Sequence, residues 1–398
     1  FAIGWIGSEA NARTLDTEVW NYDQLYVFAA GNDGSTASSI GLPGVAKNAF
    51  TVASVIDYDD ATDGDPGSIR SSSSRGPCGD NRWKPNIAAP GRWIRSVDAN
   101  STNGYADKSG TSMAAPHITG IAAQLADHHS FTRYAPQRAA SLLMATAMTN
   151  NDQVLTSPSS VATDHLNQFG TGRVNAAKAH YGFTDATWSN WGSTLSSGTS
   201  TFSDFTVGAG CTRLVVCLTY YEDQSSAGAA QALVNDLDLW IDSPTGGIDP
   251  AMNTGEYSAQ QSPRDNTEIR ILNNAAAGTW RWKVYSDSTT SSVNYSVTVA
   301  YIYGDTTPDG TLAVTVSDSY VQPNTDVDIT AAAYNPEYFA SNVYLDSTSA
   351  GDVLQASTTT LEDGAVTDLM TNQSSGRDVT LGTIRPGDTR SAVWTTRW

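Results

Sequence analysis

Short apolar runs and stretches of helical period alternate up to about Tyr181. Leu25-Tyr-Val-Phe-Ala-Ala30 and Ala49-Phe-Thr-Val-Ala-Ser-Val55 have strand length. After Ser112, the positions Ile118, Ile121, Ala122 and Leu125 share one face at helical spacing. This alternation predicts an α/β segment over 1–183. From about Thr184 the helical period disappears. Leu214-Val-Val-Cys-Leu-Thr-Tyr220, Trp280-Arg-Trp-Lys-Val-Tyr285 and Tyr295-Ser-Val-Thr-Val-Ala-Tyr301 then recur between Ser, Gly and Asp clusters, the pattern of an all-β segment over 184–304. The turn-rich stretch 304–310 predicts a second boundary. Beyond it, in 305–398, come the short apolar runs Leu312-Ala-Val-Thr-Val316, Val327-Asp-Ile-Thr-Ala331 and Val343-Tyr-Leu345.

Composition narrows the classes. At 398 residues the chain exceeds what one hydrophobic core organises, so several domains are expected. With 11 Trp, 17 Tyr and only 16% charged residues, it reads as an ordered protein. No apolar run reaches the roughly 18 residues of a membrane helix, so no membrane span is expected. The net charge of −19, from 41 acidic and 22 basic residues, argues against nucleic acid as a partner and offers carboxylates to divalent cations. Three cysteines leave at least one thiol without an intrachain partner. Cys211 and Cys217 lie about 20 Å apart on one extended strand and cannot bridge each other, which favours buried free thiols. Phe1 opens directly into an apolar run with no charged leader, so the first domain is expected to begin upstream.

The candidate chemistry centres on Gly110-Thr-Ser-Met-Ala-Ala-Pro-His117, which places Ser112 where a loop becomes an amphipathic helix. Free N–H groups and the positive dipole end at a helix start favour negative charge developing beside a nucleophile. An isolated Gly-Thr-Ser would read as a helix cap. The whole octet, together with Phe28-Ala-Ala-Gly-Asn-Asp-Gly34, resembles the subtilisin family of serine proteases. The resemblance implies that Ser112 is the nucleophile, and that Asn32 with the serine N–H stabilises the oxyanion. Ser73-Ser-Arg-Gly-Pro77, Lys84-Pro-Asn-Ile-Ala-Ala-Pro-Gly91 and Gly170-Thr-Gly-Arg-Val-Asn-Ala-Ala177 follow in family order, with Asn86 where relatives usually carry Asp.

More loosely, Trp5-Ile6-Gly7 resembles the strand that pairs with the backbone of an extended peptide substrate. Gly41 resembles the floor of the pocket for the side chain preceding the scissile bond, with Ala29, Ala30 and Gly31 as its wall. Asp33 fits either the mouth of that pocket or a solvated turn. The implied substrates are proteins or peptides, and the implied location is extracellular. The family's Asp and His motifs do not occur, and His117 points about 140° around the helix from Ser112. His128, His129, His165 and His180 fall elsewhere, so the catalytic Asp and His are expected upstream of Phe1 and this chain alone is expected to be inactive. Two non-catalytic alternatives are a protease-derived scaffold and a module that binds polysaccharide or cell surface.

Leu233-Val-Asn-Asp-Leu-Asp-Leu239 and Asp265-Asn-Thr-Glu-Ile-Arg-Ile271 resemble the C-terminal jelly roll of alkaline bacterial subtilases. Asp236 and Asp238 share one strand face, and with Asp265 and Glu268 they suit calcium; plain edge-strand charges are the other reading. The expected architecture is therefore multidomain: an N-terminally truncated α/β subtilisin-like core, an all-β jelly roll, and an immunoglobulin-like β-sandwich.

Overall fold

A computed structural model describes residues 5–56, 67–99, 101–148, 161–181, 186–244 and 262–303, and the strands of the C-terminal segment. The chain divides into two compact units, Phe1–Gly304 and Asp305–Trp398.

In the first unit α1 (Ala10–Tyr22) leads into β1 (Val27–Ala29), β2 (Phe50–Val55) and β3 (Ile87–Pro90), which form a parallel sheet in the order β1-β2-β3. All six residues of β2 are buried, because both faces of a parallel sheet are covered and the run is apolar throughout. All three residues of β1, at one edge, are only half-buried. A β-ribbon follows, of β4 (Ile94–Val97) and β5 (Tyr105–Lys108), and then the long helix α2 (Thr111–His128). α2 lies against all three parallel strands and buries Thr111, Ala114, Ile118 and Leu125, a helical stripe. Of the expected face, Ile118 and Leu125 are fully buried, and Ile121 and Ala122 pack at its rim.

Helices α3 (Pro136–Ala145), α4 (Val161–Phe169) and α5 (Ala176–Tyr181) complete the α/β part. The strands β6 (Ala186–Leu195), β7 (Ser200–Val207), β8 (Cys211–Tyr220), β9 (Asp236–Asp242), β10 (Thr267–Asn273), β11 (Gly278–Ser288) and β12 (Val293–Tyr303) then build two antiparallel sheets, β10-β8-β12-β6 and β7-β11-β9. Their inner faces share one core, in which Val216, Leu218, Val297 and Val299 meet Leu237, Leu239, Trp282 and Val284.

The change from α/β to all-β near residue 184, itself outside the described residues, falls inside this first unit. α3 lies against the outer face of β8 and β12. Leu142 and Leu143 join Val215, Cys217, Ile269, Ile271 and Ala300 in one hydrophobic cluster. At the same junction the Ser141 hydroxyl is hydrogen-bonded to Ser296 at 2.9 Å and Thr298 at 2.8 Å. A buried ionic group adds a second junction, where Lys47 sits 3.7 Å from Asp16 and 3.4 Å from Glu222. Asn48 donates from its side chain to both Asp16 O and Glu222 O. Cys78, Cys211 and Cys217 are free and buried, as expected. Among the described residues no helix is long and apolar enough to cross a membrane.

The second unit contains β13 (Thr311–Val316), β14 (Asp326–Tyr334), β15 (Ser341–Leu345), β16 (Ala356–Glu362), β17 (Val379–Ile384) and β18 (Thr389–Arg397). They pair antiparallel as β13-β14-β18-β16 and β15-β17. The expected linker at 304–310 lies outside the described residues.

Candidate active site

Asn32 follows β1 and Ser112 opens α2, so the two residues are brought together by the parallel sheet and the helix crossing it. Both are exposed. The Asn32 Oδ1 accepts from the Thr111 N–H at 3.0 Å and from the Thr111 hydroxyl at 3.3 Å. With its oxygen held on the helix start, the amide turns its Nδ2 outward, where it has no partner among the described residues. The next two N–H groups of the helix, Met113 and Ala114, donate to Gly110 O at 3.0 and 3.3 Å. The Ser112 N–H is left unclaimed among the described residues, as first-turn donors are unless something caps them. An exposed hydroxyl thus stands beside two free donors and the positive end of a helix dipole.

Two glycines make this approach possible. Gly110 has φ 150° and ψ 168°, a conformation essentially restricted to glycine, and a Cβ there would lie 3.3 Å from Asn32 Oδ1. A Cβ on Gly91 would lie 2.2 Å from Ser54 Oγ and 2.7 Å from Gly110 O, so only glycine lets the loop seat against the end of β2. The Asn32 turn is pinned from the other side by Ser74, whose Oγ accepts from Asp33 N at 3.1 Å and whose N–H donates to Gly31 O at 3.0 Å.

Comparison with known proteins shows what the chain is similar to. Residues 3–183 match the model of the subtilase family. Residues 3–183 therefore resemble the subtilase family. Thermitase of Thermoactinomyces vulgaris is 36% identical over 176 residues, 44% of this chain and 50% of thermitase. The serine protease AprX of Bacillus subtilis is 37% identical over 120 residues, 27% of this chain and 26% of AprX. The chain therefore spans half the length of one relative and about a quarter of the other. Among solved structures, the prenylagaramide maturation protease PagA aligns over 42% of this chain and 53% of its own, with 23% identity and a TM-score of 0.32.

Several subtilase motifs now acquire physical roles. The Ser73-Ser-Arg-Gly-Pro77 motif supplies the Ser74 pin. The Ala-Ala-Pro-Gly91 motif supplies the seat of the nucleophile loop. Gly41 N donates to Ala30 O at 3.0 Å, which closes the expected pocket floor onto its wall of Ala29, Ala30 and Gly31. A Cβ on Gly41 would meet only Ala30 O, at 3.9 Å, so space lies open above the floor. Thr111 was not singled out in the sequence, although it stands inside the octet; its two hydrogen bonds to Asn32 Oδ1 orient that amide.

Trp5-Ile6-Gly7 requires a correction. These residues form no strand, and four of their six backbone polar groups are already used. The N–H groups of Ile6 and Gly7 donate to the Glu9 carboxylate at 3.0 and 2.7 Å. Trp5 O accepts from Gly79 N at 2.8 Å, and Ile6 O accepts from the Arg82 guanidinium. Little is left with which to pair a substrate backbone.

The histidines lie away from the serine. His117 Nδ1 is bonded to Met113 O, one turn back on its own helix, at 2.9 Å. His128 is at the far end of α2, about 24 Å along the axis, and stacks on His180 with ring centroids 4.3 Å apart. His129 contacts His180 O at 2.7 Å. His165 is buried against Phe169. None of the five is hydrogen-bonded to Ser112.

The calcium set also changes. Among the described residues no group of three or more His, Cys, Asp or Glu side chains is gathered to hold a metal ion. Asp265 accepts from Trp83 N at 3.0 Å and from Ser262 Oγ at 2.7 Å, and burial pushes its carboxyl up to about 7. Glu268 accepts from Leu239 N at 2.6 Å and Ser262 N at 2.7 Å, and its burial likewise raises its pKa. These two carboxylates tie strands and loops together inside the fold. Asp236 and Asp238 remain on the outer face of β9, where burial and the neighbouring Asp238 push Asp236 up to about 6.

Proposed function

We propose that this chain is part of a secreted serine endopeptidase that hydrolyses peptide bonds in proteins. The observation that carries this reading is the pair of unclaimed donors, Ser112 N–H and Asn32 Nδ2, beside the exposed Ser112 hydroxyl. Ser112 Oγ attacks the peptide carbonyl, and the oxyanion that forms is held by those two donors. A histidine outside this sequence, oriented by an aspartate, takes the serine proton and returns it to the leaving amine. Water then hydrolyses the acyl-serine by the same route in reverse. The side chain preceding the scissile bond enters the space above Gly41, against Ala29-Ala30-Gly31.

Two features support an external contribution of the Asp and His. Among the described residues β1 is an apolar parallel strand at a sheet edge, where parallel strands are normally covered. The α2 face bearing Ser112, Pro116, Gly120 and Ala123 is exposed and built of small residues. In the same reading residues 184–304 form the jelly roll and 305–398 the immunoglobulin-like sandwich. Calcium retains Asp236 and Asp238 as ligands, with a chelator-sensitive melting temperature as its test.

The principal test expresses the reading frame together with the sequence upstream of Phe1 and assays casein hydrolysis. Activity abolished by Ser112→Ala is the expected result. Residues 1–398 alone are expected to leave Ser112 unlabelled by a fluorophosphonate, since no base activates it. Rapid stoichiometric labelling of that chain would overturn the external base.

A further inference from the structure

The outward face of the sheet β7-β11-β9 carries a second set of functional groups that peptide hydrolysis does not use. Along these strands Phe205, Val207, Leu237, Leu239, Ile241, Trp280, Trp282 and Val284 point into the core. The alternate positions therefore face outward. The register lines them up in rows across three strands. In one row Lys283 on the central strand stands between Phe202 and Trp240. In the next, Arg281 stands between Asp204 and Asp242, and in another Tyr285 is opposite Asp238.

Phe202 is held in place, while Trp240 and Tyr285 are half-buried. The Arg281 guanidinium makes a bidentate pair with Asp204, at 2.6 and 3.0 Å, and lies 4.3 Å from the centre of the Phe202 ring. Phe202 nevertheless remains 58% exposed, an unusual position for a phenylalanine on an ordered strand. Strand spacing puts the Phe202 and Trp240 backbones about 10 Å apart, with Tyr285 about 7 Å along the central strand. Three aromatic rings thus frame a flat area, and hydrogen-bonding ions stand between them.

We infer that this face, centred on Phe202, Trp240 and Tyr285, binds an uncharged polysaccharide. Sugar rings present apolar C–H faces rimmed by hydroxyls. Aromatic rings cover the first, while carboxylate acceptors and guanidinium or ammonium donors satisfy the second. The charge pattern selects the occupant. Arg281 and Lys283 offset two of the four carboxylates Asp204, Asp236, Asp238 and Asp242 on this face, which leaves it with little net charge within a chain of net charge −19. A neutral ligand matches that balance, whereas nucleic acid would meet the surrounding negative charge. A lipid surface would require an apolar face unbroken by ions, and an extended peptide would pair with a sheet edge sooner than lie on a face.

Affinity electrophoresis of the full 398-residue chain, in gels containing hydroxyethylcellulose or glycol chitin, tests the inference. The chain is expected to be retarded by at least one polymer. Trp240→Ala combined with Tyr285→Ala is expected to weaken retardation at least tenfold. Phe202→Ala, at an exposed site that does not endanger folding, is expected to weaken it several-fold with an unchanged melting temperature. Tyr134→Ala, an exposed aromatic on the α/β part, is expected to change nothing. The inference is overturned by migration unaffected by either polymer, or by retardation that survives loss of the rings. Ring-dependent retardation by gelatin alone would reassign the face to polypeptide and also overturn it. None of these outcomes bears on Ser112, whose chemistry is tested separately.

Discussion

Acidification from about pH 7.5 to about pH 4.5 is expected to destabilise the first unit through His165. This side chain is 4% exposed, its ring stacks on Phe169 with centroids 5.0 Å apart, and neither nitrogen has a partner among the described residues. Burial, reinforced by the nearby Arg213 charge, pushes its pKa down from 6.5 to about 4. The folded state therefore binds fewer protons than the unfolded state between those values. The stability tied to the neutral ring is fully present above pH 6.5 and is lost as pH falls through the window toward 4. At ~1.4 kcal/mol per unit the whole shift corresponds to ~3.4 kcal/mol, of which about 2.5 kcal/mol is lost by pH 4.5. That is a large share of the 5–15 kcal/mol that is roughly typical of a folded domain. Buried carboxylates such as Asp265, whose folded pKa is raised to about 7, act with the opposite sign. A His165→Leu variant leaves those carboxylates unchanged, so it isolates the histidine. Urea denaturation of both proteins at the two pH values should show the wild type losing about 2.5 kcal/mol more than the variant. Equal losses would refute the assignment of His165 as a buried neutral base.

Three further outcomes are expected. In the enzyme that includes the upstream segment, Asn32→Ala should lower turnover by about 10²–10³, the figure known for the equivalent donor of subtilisin, while KM changes little. A lowered melting temperature with unchanged turnover would make Asn32 a turn residue instead. Gly110→Ala should cost roughly 1–3 kcal/mol in thermal unfolding and should lower turnover as well, because a Cβ forces strained backbone and crowds the Asn32 amide. Burial pushes the Lys84 amine down from 10.5 to about 7, with its Nζ held by Ala49 O and Asn86 Oδ1. Its contribution to stability is lost as pH falls from 10.5 toward 7. Asn86→Asp supplies a carboxylate at that contact and should flatten the pH dependence of urea midpoints across the alkaline part of that range.

The sequence by itself determined the order of elements and where the candidate chemistry lies. The octet around Ser112 and the Gly31–Gly34 turn could be read because the residues concerned are neighbours in the chain and their spacing encodes a local loop-to-helix geometry. Apolar period likewise located β2, α2 and six of the thirteen later strands, and the odd cysteine count led to free thiols. Only the tertiary structure decided what those residues touch. The orientation of the Asn32 amide depends on Thr111, 79 positions away, and the Trp5–Gly7 backbone is taken by Glu9, Gly79 and Arg82. Strand alternation in β10 separates Glu268 and Arg270 from Ile269 and Ile271, but it cannot say which pair meets water. Here neither does, because Ile269 and Ile271 face α3 while Arg270 reaches across to Leu239 O on the opposite sheet. Contacts between distant segments arise from how layers stack. A side chain's period fixes its face within one element, whereas its burial and pKa follow from the layer that later covers that face.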